Sequence, residues 1–171
     1  AAQYALSKYG QDCILLVLPA DHLIDDINAF VNAVNEAVVL ASNGKLVTFG
    51  IKPDSPQTGF GYIEASGNSV TRFVEKPDLQ TAETYIASGK FFWNSGMFCM
   101  AAGDFYKDLK NLCPDVADQA NICFDRASHS QGVGWQQYEI YQADFELIQD
   151  ISVDYAIFEK KLEELNQAAV D

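Results

Sequence analysis

Positively charged residues are scarce in this sequence: 11 lysines and arginines stand against 24 aspartates and glutamates, for a formal net charge of −13. That balance opposes attraction to nucleic-acid phosphates and to anionic lipid, so neither nucleic acid nor a membrane surface is expected as a partner. It does not exclude a small phosphorylated ligand, because one lysine or one bound cation makes a local positive site within an acidic molecule. Histidine is scarcer still, with only His22 and His129, and the four cysteines show no CxxC spacing. A zinc site therefore lacks paired ligands. Cys13, Cys99, Cys113 and Cys123 each lie beside apolar or aromatic residues and read as buried free thiols. The apolar run Ile14 to Leu18 is far too short to cross a bilayer, and no charged leader followed by an apolar core opens the chain. The sequence reads as cytosolic. Repeats, low-complexity tracts and linkers are also lacking, so the chain is treated as one structural unit.

What is present is enough for a packed core: 171 residues, 49% of them hydrophobic. Ala1 to Tyr9 reads as a helix stopped by Gly10, and a buried-type strand follows from Cys13 to Leu18, ended by Pro19. From Ile27 to Ala41, the residues Ile27, Phe30, Val31, Val34, Val38 and Ala41 recur at helical spacing. Asp25 and Asp26 precede this helix and Gly44 follows it. A strand from Leu46 to Ile51 comes next. This strand, helix, strand order predicts an α/β sheet whose first strands run parallel, joined by a right-handed crossover. Gly59 to Ala65 and Val70 to Val74 read as a hairpin turning at Ser66-Gly67-Asn68, and Leu79 to Ser88 as a helix closed by Gly89. Phe91 to Met100 reads as an aromatic-rich strand. From Asp104 onward helices are expected, with Pro114 separating the first two and Val153 to Leu165 forming the last.

Four segments carry polar groups where chemistry needs them, and each has an ordinary structural reading. Asp21, in Leu18-Pro19-Ala20-Asp21-His22, sits at the C-terminal end of a strand, where ligands gather in open α/β sheets. An aspartate there ligates a hard cation such as Mg2+ or caps the following helix. In Thr58-Gly59-Phe60-Gly61-Tyr62-Ile63 the glycines let backbone approach a ligand, or merely bend a sheet. Glu75 and Lys76 pair an acceptor for sugar hydroxyls with an ammonium for phosphate. The ordinary alternative is a solvated pair, although neighbours on a regular strand face opposite ways. Asn94 and Ser95, set between Trp93 and Met97-Phe98, must find partners if buried, in a sugar's hydroxyls or in an internal hydrogen bond.

Taken in order, the segments LPADH, TFGIKP with TGFGYI, FVEKPD, WNSGMF and ISVDYAIFEK resemble the mannose-1-phosphate guanylyltransferase family of sugar nucleotidyltransferases, over nearly the whole chain. The resemblance implies an α/β nucleotide-diphospho-sugar transferase fold, a Rossmann-like mixed sheet flanked by helices. It implies transfer of the guanylyl group of GTP to mannose 1-phosphate, giving GDP-mannose and pyrophosphate, with Mg2+ as cofactor. It implies Asp21 as metal ligand and Lys76 at the sugar phosphate. Glu75, Asn94 and Ser95 would hold mannose hydroxyls, assisted by backbone at Gly61 and Tyr62. Asp154 is implied either at the site or as a helix start. The family's nucleotide-binding GGxGxRLWPxSR loop and its WSDVGSW segment are expected to lie before Ala1 and after Asp171, so residues 1–171 would be the sugar-binding part of a longer catalytic domain. The strand leading into that loop is expected beside Ile14 to Leu18, which leaves an edge open to self-association in this chain. Two other readings stand beside this one: transfer to a different sugar 1-phosphate, and a non-catalytic module that binds a sugar phosphate.

Overall fold

The computed structural model describes residues 1–163. In chain order the elements are α1 (Ala2–Tyr9), β1 (Ile14–Val17), α2 (Ile27–Ser42), β2 (Val47–Ile51), β3 (Tyr62–Ser66), β4 (Ser69–Val74), α3 (Leu79–Ser88) and β5 (Phe91–Ala101). Then come α4 (Ala102–Leu112), α5 (Pro114–Arg126), β6 (Ser128–Gly132), β7 (Trp135–Glu139), α6 (Gln142–Phe145) and a π-helix (Asp154–Glu159). Glu164 and Leu165, the end of the last expected helix, lie outside the described residues.

The long strand β5 organises the molecule. Its C-terminal half pairs antiparallel with β1 (Leu16 opposite Cys99), its N-terminal part with β3 (Ile63 opposite Phe92), and β2 pairs along it as well. β1 and β2 therefore point the same way, as expected, but β5 lies between them. The expected crossover joins strands that are parallel yet not neighbours. The reason is length: β5 is 11 residues long, enough to serve three partners. Side chains alternate across it. Phe98 and Met100 pack with Cys113, Ala156, Ile157 and Phe158, whereas Cys99 faces Ala37 and Ala41 of α2. At its other end Phe91 joins Tyr62 and Ala82 beneath α3. Three of the four cysteines are buried, Cys13 is half-buried and all are free, and burial raises the Cys99 thiol above its ordinary range.

Two helix starts follow from capping. Asp26 Oδ1 accepts the Ala29 amide at 2.9 Å at the start of α2, and Asp78 Oδ1 accepts the Thr81 amide at 2.8 Å at the start of α3. The Thr81 hydrogen bonds hold the Asp78 carboxyl below its usual value, so that cap persists above the ordinary carboxylate range and is lost as pH falls through the lowered one. Asp26→Ala is expected to lower stability by about 1 kcal/mol, read as an earlier urea midpoint with unchanged slope, and Asp26→Asn to lose much less. The apolar stripe of α2 is only partly used: Ala37 and Ala41 are buried, while Ile27 and Val31 are exposed.

The hairpin of β3 and β4 turns at Gly67-Asn68, where expected. A second hairpin, β6 with β7, was not expected. Its residues are almost all exposed, so no alternation of apolar and polar side chains marks it in the sequence. It is held instead by Tyr138, which stacks on Phe124 at 5.6 Å and meets Tyr4 edge-on at 5.1 Å.

Candidate active site

Of the residues singled out in the sequence, Asn94, Asp154, Gly61 and Glu75 gather where β5 bulges. Thr48 of β2 opposes Phe98, but Gly50 opposes Asn94, so Phe49 alone faces Ser95, Gly96 and Met97. This bulge is made by Gly96, whose φ of 68° suits a residue without a Cβ, and it re-aims the side chains around it. Asn94 becomes the hub. Its Nδ2 donates to Asp154 Oδ1 at 2.7 Å, and its Oδ1 accepts from the Thr48 hydroxyl at 3.2 Å and the Gly96 amide at 3.3 Å. Its backbone amide donates to the Gly61 carbonyl at 2.8 Å. One residue thus joins β2, the approach to β3, β5 and the π-helix.

Gly61 earns its place by what stands beside it. A Cβ there would sit 3.0 Å from Glu75 Oε2 and 3.6 Å from the Asn94 Cβ, so only glycine lets the Glu75 carboxylate lie against this backbone without displacement. Tyr62 is fully buried, its hydroxyl donating to the Gln57 carbonyl at 2.9 Å and its backbone set between Val74 of β4 and Trp93 of β5. Ser95 is also engaged: its hydroxyl donates to the Phe49 carbonyl at 2.6 Å and accepts the Met97 amide at 3.2 Å.

Glu75 and Lys76 form the solvated pair that is the ordinary expectation, Nζ to Oε1 at 3.2 Å, although neighbours on a regular strand face apart. β4 ends at Val74, and Lys76 adopts φ of 40°, a left-handed conformation that brings neighbouring side chains to one side. It is the one non-glycine residue with positive φ among the described residues, and such strain concentrates at functional positions. Both side chains stay about two-thirds exposed, so the pair is weak and free to exchange partners.

Asp21 lies beyond the end of β1, exposed, and it caps no helix, since Asp26 performs that task for α2. Pro19, two residues before it, lies beside the bulge, 3.8 Å from where a Gly96 Cβ would stand. Among the described residues no group of three or more histidines, cysteines, aspartates and glutamates converges. A cation here would take one carboxylate from Asp21 and its other ligands from phosphate and water, a donor set that fits Mg2+.

Two residues of this cluster escaped the sequence reading. Thr48 lies in the TFGIKP segment, but nothing in its spacing singles it out. Glu159 falls at the end of the π-helix; burial, then Asp154, Glu75 and Glu163, raise its carboxyl above the ordinary range. A cavity of about 990 Å³ opens between α2, β2 and the first hairpin. Its lining includes Phe30, Ile63, Val70 and Phe73 together with Thr48, but none of Glu75, Lys76, Asn94 or Asp154.

Residues 1–137 match the family model described as nucleotidyl transferase. The chain belongs to the nucleotidyl transferase family. Its relatives in this family include the Xanthan biosynthesis protein XanB of Xanthomonas campestris pv. campestris, 42% identical over 158 residues, which cover 90% of this chain and 33% of XanB. The mannose-1-phosphate guanylyltransferase of Escherichia coli K12 is 42% identical over 159 residues, 87% of this chain and 32% of that protein. The chain thus spans about a third of the length of these curated relatives. The crystal structure of mannose-6-phosphate isomerase from Helicobacter pylori superposes with a TM-score of 0.84 at 36% identity, over 92% of this chain and 62% of that one. The mixed sheet flanked by helices is therefore the sugar nucleotidyltransferase fold. No helix among the described residues is long and apolar enough to cross a membrane.

Proposed function

We propose that residues 1–171 form the sugar-binding part of a mannose-1-phosphate guanylyltransferase, a longer protein that makes GDP-mannose and pyrophosphate from GTP and mannose 1-phosphate. The observation that carries the reading is the Asn94 hub, which gathers Asp154, Thr48 and the Gly61 backbone beside Glu75 and Lys76. The names of the relatives support the substrate pair, and that of XanB supports a place in polysaccharide biosynthesis.

In this reading Lys76 leaves Glu75 to meet the sugar phosphate, and Glu75 turns its acceptor oxygens to mannose hydroxyls. Asn94 and Asp154 supply further hydrogen-bond partners, with Ser95 holding the bulge and offering its remaining lone pair. A phosphate oxygen of mannose 1-phosphate attacks the α-phosphorus of GTP, a new P–O bond forms, and the bond to the β-phosphate oxygen breaks as pyrophosphate departs. No protein nucleophile is needed: orientation and charge neutralisation suffice. Mg2+, when held by Asp21, would supply charge neutralisation at the triphosphate. The reaction takes place in the cytoplasm. Pyrophosphate release by the full-length protein tests the reading, with GTP against ATP and mannose 1-phosphate against glucose 1-phosphate. A preference for glucose 1-phosphate would favour a different sugar, and no turnover with either would favour a binding module.

The same reading covers the open edge of β1. Among the described residues β1 pairs only with β5, and Leu16, Val17 and Leu18 are 38%, 43% and 45% exposed. Unpaired amides beside apolar side chains invite a second copy to add a strand. The 171-residue chain is expected to sediment with concentration-dependent self-association, stronger at high salt, which screens the net charge of −13. Val17→Lys should yield monomer; a monomer at every concentration without the substitution would contradict this.

A further inference from the structure

Thr48 reaches Asn94 through the bulge. It stands opposite Phe98, and on a regular ladder Asn94, four residues away on β5, would lie about 13 Å off along the strand. The register shift sets Asn94 opposite Gly50 instead. The Thr48 hydroxyl then donates to Asn94 Oδ1 at 3.2 Å, with the Met97 carbonyl at 3.4 Å sharing the same hydrogen. A β-branched side chain has few χ1 choices, which restrains the direction of this hydroxyl. The carbonyl end of the Asn94 amide is thereby occupied. Its Oδ1 has two lone pairs, and the Gly96 amide at 3.3 Å and the Thr48 hydroxyl take them. Its Nδ2 has two hydrogens, of which one goes to Asp154 Oδ1 at 2.7 Å, and among the described residues the other meets no acceptor.

We propose that Thr48 is a positioning residue for the sugar-phosphate site: by filling the acceptor end of the Asn94 amide from β2, it makes Asn94 a hydrogen-bond donor only, aimed at an acceptor oxygen of a bound hexose 1-phosphate. This deepens the guanylyltransferase reading and rests on it. The two ends of the amide are anchored on different elements, Nδ2 on the π-helix through Asp154 and Oδ1 on β2 through Thr48. A sugar hydroxyl that draws on Asp154 competes with the first bond and leaves the second in place. Glu75, whose carboxylate lies against the Gly61 backbone beside Asn94, has the complementary character. It accepts hydroxyl protons, and Asn94 gives one. Without the Thr48 hydroxyl, Oδ1 keeps only the longer Gly96 bond, and the amide is free to turn out of donor geometry.

The test is a calorimetric titration of the full-length protein with mannose 1-phosphate, in a cycle of Thr48→Val, Asn94→Ala and the double variant. Valine keeps the branched shape and suits the cavity that Thr48 lines together with Phe30, Ile63, Val70 and Phe73. Thr48→Val is expected to weaken binding roughly 3- to 10-fold, the size of one hydrogen bond's contribution. KM for mannose 1-phosphate should rise in step, with kcat and KM for GTP within about twofold. Thr48→Ala, which removes the hydroxyl without adding a methyl beside Asn94, should give the same pattern, and Thr48→Ser should recover most of the loss. In the Asn94→Ala background, Thr48→Val should add less than about 1.5-fold, because its effect runs through the amide. An equal loss in both backgrounds, undiminished affinity in Thr48→Val, or a serine variant as weak as the valine one would overturn the proposal. Wild-type protein that binds mannose 1-phosphate without turning it over sinks the transferase reading alone, and the cycle still decides on Thr48. Wild-type protein that does not bind it sinks both.

Discussion

Lys76→Ala in the full-length protein is expected to lower kcat/KM for mannose 1-phosphate roughly 10- to 150-fold, the loss of one charge-assisted contact, while KM for GTP stays within about threefold. The asymmetry is the informative part. Lys76 is exposed, among the described residues it pairs with its neighbour Glu75 alone, and it is held in a left-handed conformation. Removing it costs little stability, since an exposed pair of this kind contributes little to folding. A phosphate that had relied on that ammonium loses its counter-charge, and nearby carboxylates then repel it. Lys76→Arg should recover part of the loss, because charge survives while the geometry changes. Equal losses for both substrates would place Lys76 outside the sugar-phosphate site.

The second large effect is expected at Asp21. Asp21→Asn should reduce turnover at least about tenfold and raise the Mg2+ concentration needed for half-maximal rate by a similar factor, since a hard cation loses a carboxylate ligand. The structure sharpens this test. Asparagine caps helices as well as aspartate does, but α2 is capped by Asp26, so Asp21 has no capping role for asparagine to preserve. Activity and metal requirement that both survive Asp21→Asn would mean that Asp21 serves no cation.

Much of this architecture was legible in the residues because local signals agreed with tertiary packing. Gly89 stops α3 as expected, and the Gly67-Asn68 turn closes the first hairpin. The order of strands was not legible. Insertion of β5 between β1 and β2 depends on pairing across more than 80 residues, which no local pattern records. The second hairpin was missed because its exposed strands carry no periodicity, and the π-turn because its looser winding is not written in residue type. Of the candidate residues picked out by type and position, Glu75, Asn94, Gly61 and Asp154 stand together. Ser95 spends its hydroxyl on the Phe49 carbonyl, and Glu75 and Lys76 pair, the ordinary structural readings that stood beside the ligand roles, though residue type alone does not choose between them. Both follow from a bulge and a left-handed residue, backbone features that alternation rules do not contain.

The account turns on where a sugar phosphate binds, and a crystal structure of the full-length protein with mannose 1-phosphate addresses that most directly. The predicted result has the phosphate within salt-bridge distance of Lys76 Nζ, the Glu75–Lys76 pair opened, and mannose hydroxyls on Glu75 and Asn94 beside the Gly61 backbone. A sugar phosphate bound away from these residues, with Lys76 still paired to Glu75, would contradict it.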